Sequence, residues 1–214
     1  MLGIAAKLAP KLTRPALRWH GGKWMLAPWI IKHFLTHRTY VEPYAGAASV
    51  LLRKPRSYGE VYNDLDGDAV NLFQVLRSDR AQDLIEALRH TAFAREEFKA
   101  AYHPGEDPVE RARCLVVRSF QSFGSDGFNI KRSTGFRANS SRSGTTPAQD
   151  WANYPDALAA LIERLQGVVI ENRAAIDCMA QHDGLETLHY VDPPYLPETR
   201  STKAKNGERY HAYA

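Results

Sequence analysis

The chain has 214 residues, 44% of them hydrophobic, with a net charge of +4 and a pI near 9.1. That length allows one sizeable core with an inserted lobe, or at most two small domains, and the apolar content argues against wholesale disorder. Every apolar run falls short of the roughly 18–20 residues that span a bilayer. Cys114 and Cys178 stand far apart, neither in a CxxC pair, which argues against a metal site or a disulfide framework and suits a reducing cytoplasm.

Met1 to Pro10 is interrupted by Lys7 and reads as a frayed leader, not a signal peptide. Leu26 to Leu35 follows Trp19-His20-Gly21-Gly22-Lys23 as an apolar helical stretch. Arg38 to Tyr44 reads as a buried strand ending in a turn at Ala45-Gly46, and Ala47-Ala48-Ser49 leads into a helix packed on that strand. Gly59 to Asn63 is a second strand closed by Asp64, and Asp68 to Arg77 carries a helical apolar face. Asp79 to Ser122 reads as several helices broken at His103-Pro104-Gly105. Ser122 to Pro147, rich in Gly, Ser, Thr, Asn and Arg, reads as a hairpin or exposed loop. Pro155 to Leu165 returns to helix, and Gly167 to Glu171 and Thr187 to Val191 are further strands. Strand–helix alternation at both ends implies an α/β layer fold with parallel strands. The compositionally different insert lies at 78–154, and there is no internal repeat.

The last strand runs into Asp192-Pro193-Pro194-Tyr195. In open α/β sheets, ligands bind beyond the carboxyl ends of the strands. Prolines fix φ and cannot donate, so this corner is rigid and rich in acceptors. An exocyclic amine fits it: Asp192 and the Pro193 carbonyl can accept both amine hydrogens while Tyr195 stacks on the ring. The plainer alternative is a proline-rich turn in which Asp192 caps a neighbouring element. Tyr40-Val41-Glu42-Pro43-Tyr44-Ala45-Gly46 ends in a small-residue turn that lets a nucleoside approach the backbone. Asp64 closes the second strand, where a carboxylate can hold ribose hydroxyls or cap the next helix.

Trp19-His20-Gly21-Gly22-Lys23, the Glu42–Gly46 turn, Asn63-Asp64 and Asp192–Tyr195 occur in the order that resembles Dam-like (D12 class) adenine-specific DNA methyltransferases. The resemblance runs from about Arg18 to Tyr210. It implies a Rossmann-like sheet that binds S-adenosyl-L-methionine, with Trp19, Gly22, Lys23, Glu42, Pro43, Tyr44, Gly46, Asp64 and Asp192 at the cofactor. Asp192, Pro193, Pro194 and Tyr195 are the implied catalytic set. A discontinuous catalytic domain, 10–77 with 155–214, then brackets a mainly helical target-recognition lobe at 78–154. Three departures stand out. Ala47-Ala48-Ser49 replaces the family's second glycine (GAGS), and Arg173-Ala174-Ala175 follows the third strand where an acid is usual, Asp177 being the nearest. The chain also stops at Ala214 where family members continue, so a C-terminally truncated enzyme is expected.

Arg118 to Arg142 holds Arg118, Lys131, Arg132, Arg137 and Arg142 against Asp126, with Phe120, Phe123, Phe128 and Phe136 interleaved. Basic residues neutralise phosphates and aromatics wedge into an opened base stack. A solvated loop with anchoring phenylalanines reads equally well from the residues alone, and the resemblance favours DNA. Lys131, Arg132, Phe136 and Arg137 are therefore the expected DNA contacts. Trp151 and Tyr154 read as core. The expected reaction is direct methyl transfer to adenine N6 of flipped double-stranded DNA, by a cytoplasmic monomer of prokaryotic or phage type, without metal or covalent intermediate. A catalytically silent DNA-binding fragment and methylation of adenine in RNA are the rival readings.

Overall fold

The computed structural model describes residues 12–124, 130, 133–139, 141 and 144–194. Along them the elements run α1 (Ala27–Ile31), β1 (Thr39–Glu42), α2 (Ser49–Arg53), β2 (Gly59–Asn63), α3 (Gly67–Leu76), α4 (Ala81–His90), α5 (Arg95–Ala100), α6 (Pro108–Gln121), α7 (Pro147–Ala152), α8 (Tyr154–Arg164), β3 (Val168–Glu171), α9 (Ala175–His182) and β4 (Thr187–His189). The sheet is parallel throughout, in the order β3-β2-β1-β4. It is the α/β architecture expected from the strand–helix alternation. Val41 of β1 sits opposite Val61 of β2 on one side and His189 of β4 on the other.

The strand order places the crevice. From β1 the chain builds outward through β2 to β3, then returns to pair β4 on the free side of β1. The carboxyl ends of β1 and β4 therefore diverge at a topological switch point, where α/β sheets bind ligands. Side-chain alternation gives β1 two different faces. Tyr40 joins the main core with Tyr62, Leu51 and Phe73, whereas Val41 and Val61 pack under Cys178 of α9.

The insert is not a separate bead. One hydrophobic cluster joins Leu17, Tyr40 and Leu72 to Leu84, Leu115 and Leu158. Asp68 in the first turn of α3 pairs with Arg111 at 2.8 Å and Arg118 at 3.1 Å, both on α6. Helix starts follow local chemistry: the Asp66 carboxylate caps α3, Asp107 caps α6, and Thr146 with Gln149 forms a capping box on α7. Beyond α6, Phe123 N–H donates to Gly135 O and Arg137 N–H to Gln121 O, each 2.8 Å, an antiparallel pairing that favours the hairpin over the exposed loop among the two readings of this stretch.

Three elements differ from the sequence reading. The helix expected over 26–35 is regular only over Ala27–Ile31, continuing as turns to Phe34. Helices α7 and α9 had no counterpart in it. The expected break at His103-Pro104-Gly105 separates α5 from α6. Among the described residues no helix is long and apolar enough to cross a membrane. The leader expected at Met1 to Pro10 lies outside the described residues.

Candidate active site

The turn after β1 is held from several directions. Gly46 has φ +49°, and a Cβ there would meet Trp19 Nε1 at 2.5 Å, so glycine is required by both conformation and contact. Asp64, buried at the end of β2, accepts the Gly46 N–H at 2.7 Å on Oδ2 and the Asp66 N–H at 2.8 Å on Oδ1. The cap of α3 is thus Asp66, while Asp64 grips the glycine turn. From beneath, the Tyr62 hydroxyl donates to Gly46 O at 2.9 Å.

Asparagines stitch the strand ends together. Buried Asn63 donates to Pro43 O (2.9 Å) and Arg173 O (3.0 Å) and accepts the Arg173 N–H at 3.1 Å. Asn172 donates to Asp64 O at 2.7 Å. The loops leaving β1, β2 and β3 are therefore cross-linked in one polar layer. Asp177 lies exposed in the first turn of α9.

Ala48 is the one non-glycine described residue with positive φ, 54°, at the start of α2. It stands where the resembled turn carries its second glycine. The backbone keeps the left-handed bend that a glycine adopts freely, and the alanine is strained into it.

The last strand extends pairing through Tyr190, whose N–H donates to Val41 O at 2.9 Å. That delivers Asp192 to the crevice, where its Oδ2 lies 2.6 Å from Lys23 Nζ. Lys23 also donates to Gly21 O at 2.8 Å. The Trp-x-Gly-Gly-Lys segment and the Asp-Pro-Pro segment, distant in sequence, thus meet at the switch point. Pro193 is exposed and Pro194 half-buried. Tyr195 lies outside the described residues, as do Lys131 and Arg132.

Glu42 faces the same crevice from β1. Its Oε2 accepts the Tyr40 hydroxyl at 3.0 Å and the Leu51 N–H at 2.9 Å. Burial pushes its carboxyl up to about 8, against the pull of those two hydrogen bonds. Beneath Tyr40, Lys54 Nζ contacts Glu60 at 2.6 Å and lies 4.6 Å from the Tyr40 ring centroid. Burial pulls Lys54 below its ordinary value, with Glu60 resisting. For Glu60, burial is outweighed by hydrogen bonds from Arg164 and Lys54, which hold it below its ordinary value. In the sequence Tyr40 only opens the strand-and-turn motif and carries no role at the cofactor; its place two residues before Glu42, on the same face of a strand, was the available signal for one.

On the hairpin, Phe136 is half-buried, 5.1 Å from Phe93 and 5.8 Å from Phe98 between ring centroids, with Arg95 over its face. Arg137 is half-buried at the hairpin base. Arg118 departs from the basic set expected to meet phosphates: it is fully buried and bonded to Asp68 and Ala101 O. Phe120 is likewise core, under Arg14 and against Tyr154, while Phe123 is exposed. Trp151 and Tyr154 are core residues as expected. Among the described residues no group of three His, Cys, Asp or Glu is placed to hold a metal ion.

Comparison with known proteins gives the family. The family model of D12 class N6 adenine-specific DNA methyltransferases matches residues 19–212. The DNA adenine methylase of Escherichia coli (strain K12) is 26% identical over 197 residues, covering 87% of this chain and 66% of that protein. The DNA adenine methylase of Haemophilus influenzae is 26% identical over 216 residues, covering 91% of this chain and 68% of its own length. That of Serratia marcescens is 33% identical over 86 residues, 40% of this chain and 31% of that protein. The chain thus spans about two thirds of the length of the first two relatives. With the family model covering Trp19 through the crevice and beyond, the chain belongs to the D12 class N6 adenine-specific DNA methyltransferase family.

Proposed function

We propose that this chain methylates the exocyclic N6 of adenine in double-stranded DNA, with S-adenosyl-L-methionine as methyl donor, acting as a cytoplasmic monomer. The observation that carries the reading is the meeting of Asp192, Lys23 and Glu42 at the switch point between β1 and β4. The acidic Glu42 at the end of β1 suits a cationic portion of the donor, and the glycine turn that follows is held against Trp19, which is expected to flank the nucleoside. Trp19, Gly22, Lys23, Glu42, Pro43, Tyr44, Gly46 and Asp64 hold it, Asp64 doing so partly by fixing the turn. When bound, S-adenosyl-L-methionine supplies an electrophilic methyl group on a sulfonium centre.

The protein's own work is alignment and hydrogen bonding. Lys23 engages Asp192 Oδ2, which leaves Oδ1 to face the base. Asp192 Oδ1 and the Pro193 carbonyl accept the two N6 hydrogens, drawing the nitrogen lone pair out of ring conjugation and aiming it in line. Pro194 keeps the corner rigid, and Tyr195 stacks on the flipped purine. Holding two reactants in register is worth several kcal/mol of barrier without any covalent intermediate. The 78–154 stretch serves as the target-recognition lobe. Its helices share the core, so the stretch of chain after α6 that includes Lys131, Arg132, Phe136 and Arg137 is the part that meets DNA, with Phe136 also packed on α5.

Labelled-methyl transfer to duplex DNA tests the reading. Asp192→Ala is expected to abolish incorporation with the fold retained, and activity persisting in that variant would sink the assignment. Methylation-sensitive sequencing of DNA from cells expressing the chain then identifies the modified base and its sequence context.

A further inference from the structure

Tyr40 has no place in the reading above, yet its hydroxyl sits at the crevice end of a buried polar chain running Glu60, Lys54, Tyr40 and Glu42. We propose that Tyr40 is a positioning residue for the methyl donor: its hydroxyl holds Glu42 so that Oε1 takes the donor's ammonium group. The inference rests on the cofactor reading and deepens it.

Geometry carries the argument. Tyr40 and Glu42 share a face of β1, and the Tyr40 hydroxyl and the Leu51 N–H both donate to Oε2. Two donors on one oxygen fix the carboxyl plane. Among the described residues Oε1 has no hydrogen-bond partner, and it is not among the sealed, unsatisfied atoms. The groups facing Glu42 are Tyr40 on its own strand, Leu51 N–H on α2, Lys54 just after α2, and Asp192 with Lys23 across the crevice. Neither lysine hydrogen-bonds to it, although the Lys54 charge acts on it at longer range. Lys54 Nζ bonds Glu60 Oε1, Pro55 O and Ser57 Oγ, which uses its three hydrogens, and Lys23 is held by Asp192 and Gly21 O. Glu42 is thus the acid left over at the crevice, and it calls for a cation. The donor has two cationic centres. Its sulfonium methyl has to face Asp192, so the ammonium falls to Glu42.

The Tyr40 hydroxyl also opposes the effect of burial on Glu42. Removing it moves the carboxyl further up, so binding that needs a carboxylate shifts to higher pH. A hydroxyl that served packing alone would leave that profile where it was.

Titration calorimetry on the 214-residue chain from about pH 6.5 to 8.5 separates the cases, with S-adenosylhomocysteine and 5′-methylthioadenosine as probes. The second probe has no ammonium. Wild-type affinity for S-adenosylhomocysteine is expected to rise with pH towards about 8. Tyr40→Phe is expected to weaken it about tenfold near neutral pH, with the midpoint moved up, while 5′-methylthioadenosine binds as before. Glu42→Gln is expected to remove the pH dependence. An unchanged profile in Tyr40→Phe, or equal weakening for both probes, overturns the role of Tyr40 and leaves the cofactor reading standing. A wild-type chain that binds neither probe overturns both.

Discussion

The ammonium of Lys23 lies 2.6 Å from Oδ2 of Asp192, joining the segment before α1 to the loop after β4. Both side chains are partly exposed, so the pair contributes about 0–1 kcal/mol to stability. Its larger effect is on aim. With Oδ2 fixed, the carboxylate keeps a single oxygen in a single orientation for the base of the proposed reaction. Lys23→Met is expected to leave the melting temperature within a few degrees of wild type and to lower methyl transfer roughly 10²-fold, the scale of a small misplacement of reacting groups. Parallel thermal melts and single-turnover assays check it; a loss of activity that merely tracks unfolding would remove the positioning role.

The left-handed bend at Ala48 makes a stabilising substitution available. An L-residue there pays about 1–2 kcal/mol that glycine avoids, offset in part by glycine's greater unfolded-state entropy. Ala48→Gly is expected to stabilise by roughly 0.5–1 kcal/mol, or about 1–4 °C in a chain of this size. A fall in melting temperature would show that the alanine methyl packs too well to lose.

Gly46 is the counterpart in the same turn. A methyl group there would have to displace Trp19 from 2.5 Å as well as tolerate a positive φ. Gly46→Ala is expected to destabilise by about 1–3 kcal/mol and to weaken donor binding. Trp19→Phe in the same chain should recover part of the stability, since it removes the atom in closest conflict. No recovery in a thermal-melt double-mutant cycle would locate the cost elsewhere in the turn.

How much of this was legible beforehand depends on range. The strands and the crevice motifs were readable because short runs rich in Val, Ile, Tyr and Thr end at Gly, Pro or Asp, which are local signals. The left-handed demand at Ala48 could be suspected from the missing glycine. Asp64 gripping Gly46 and Lys23 gripping Asp192 were not readable, because each pairs groups that are distant in sequence. Helix α9 escaped notice since only Ala175 and Cys178 point inward, too few for a period. A parallel β3–β4 connection nevertheless demands a crossover element there. Arg118 was misread because an arginine in a basic stretch looks solvated, and its partner Asp68 belongs to another helix.

Glu42 predicts how stability depends on pH. Its carboxyl is raised from 4.5 to about 8 in the folded chain, so the native state holds a proton that the unfolded state has released between those values. Its contribution is full below the unfolded value and is lost as pH rises through the folded one, with a slope of at most about 1.4 kcal/mol per pH unit. Glu42→Gln, which keeps the shape without the charge, is expected to flatten the decline between about pH 5 and 8. Chemical denaturation at several pH values checks it, and an unaltered slope would assign the titration to other groups.

Arg118 and Arg137 separate the fold from the proposed DNA contact. Asp68 is the carboxylate partner of a fully buried guanidinium whose remaining hydrogen bond goes to Ala101 O. Removing that acid strands a buried charge, so Asp68→Ala is expected to destabilise by about 3–5 kcal/mol. Arg118→Met removes the charge and fills similar space, and it should leave the salt dependence of DNA binding unchanged in the folded fraction. Arg137, half-buried at the hairpin base, should behave in the opposite way. Arg137→Ala is expected to reduce the slope of log K against log salt by about 1 in the folded fraction, the signature of one lost phosphate contact. Fluorescence anisotropy with a labelled duplex across a salt series reads both. If the Arg118 variant changed the slope and the Arg137 variant did not, the hairpin would cease to be the DNA-facing element, whatever the fate of the crevice.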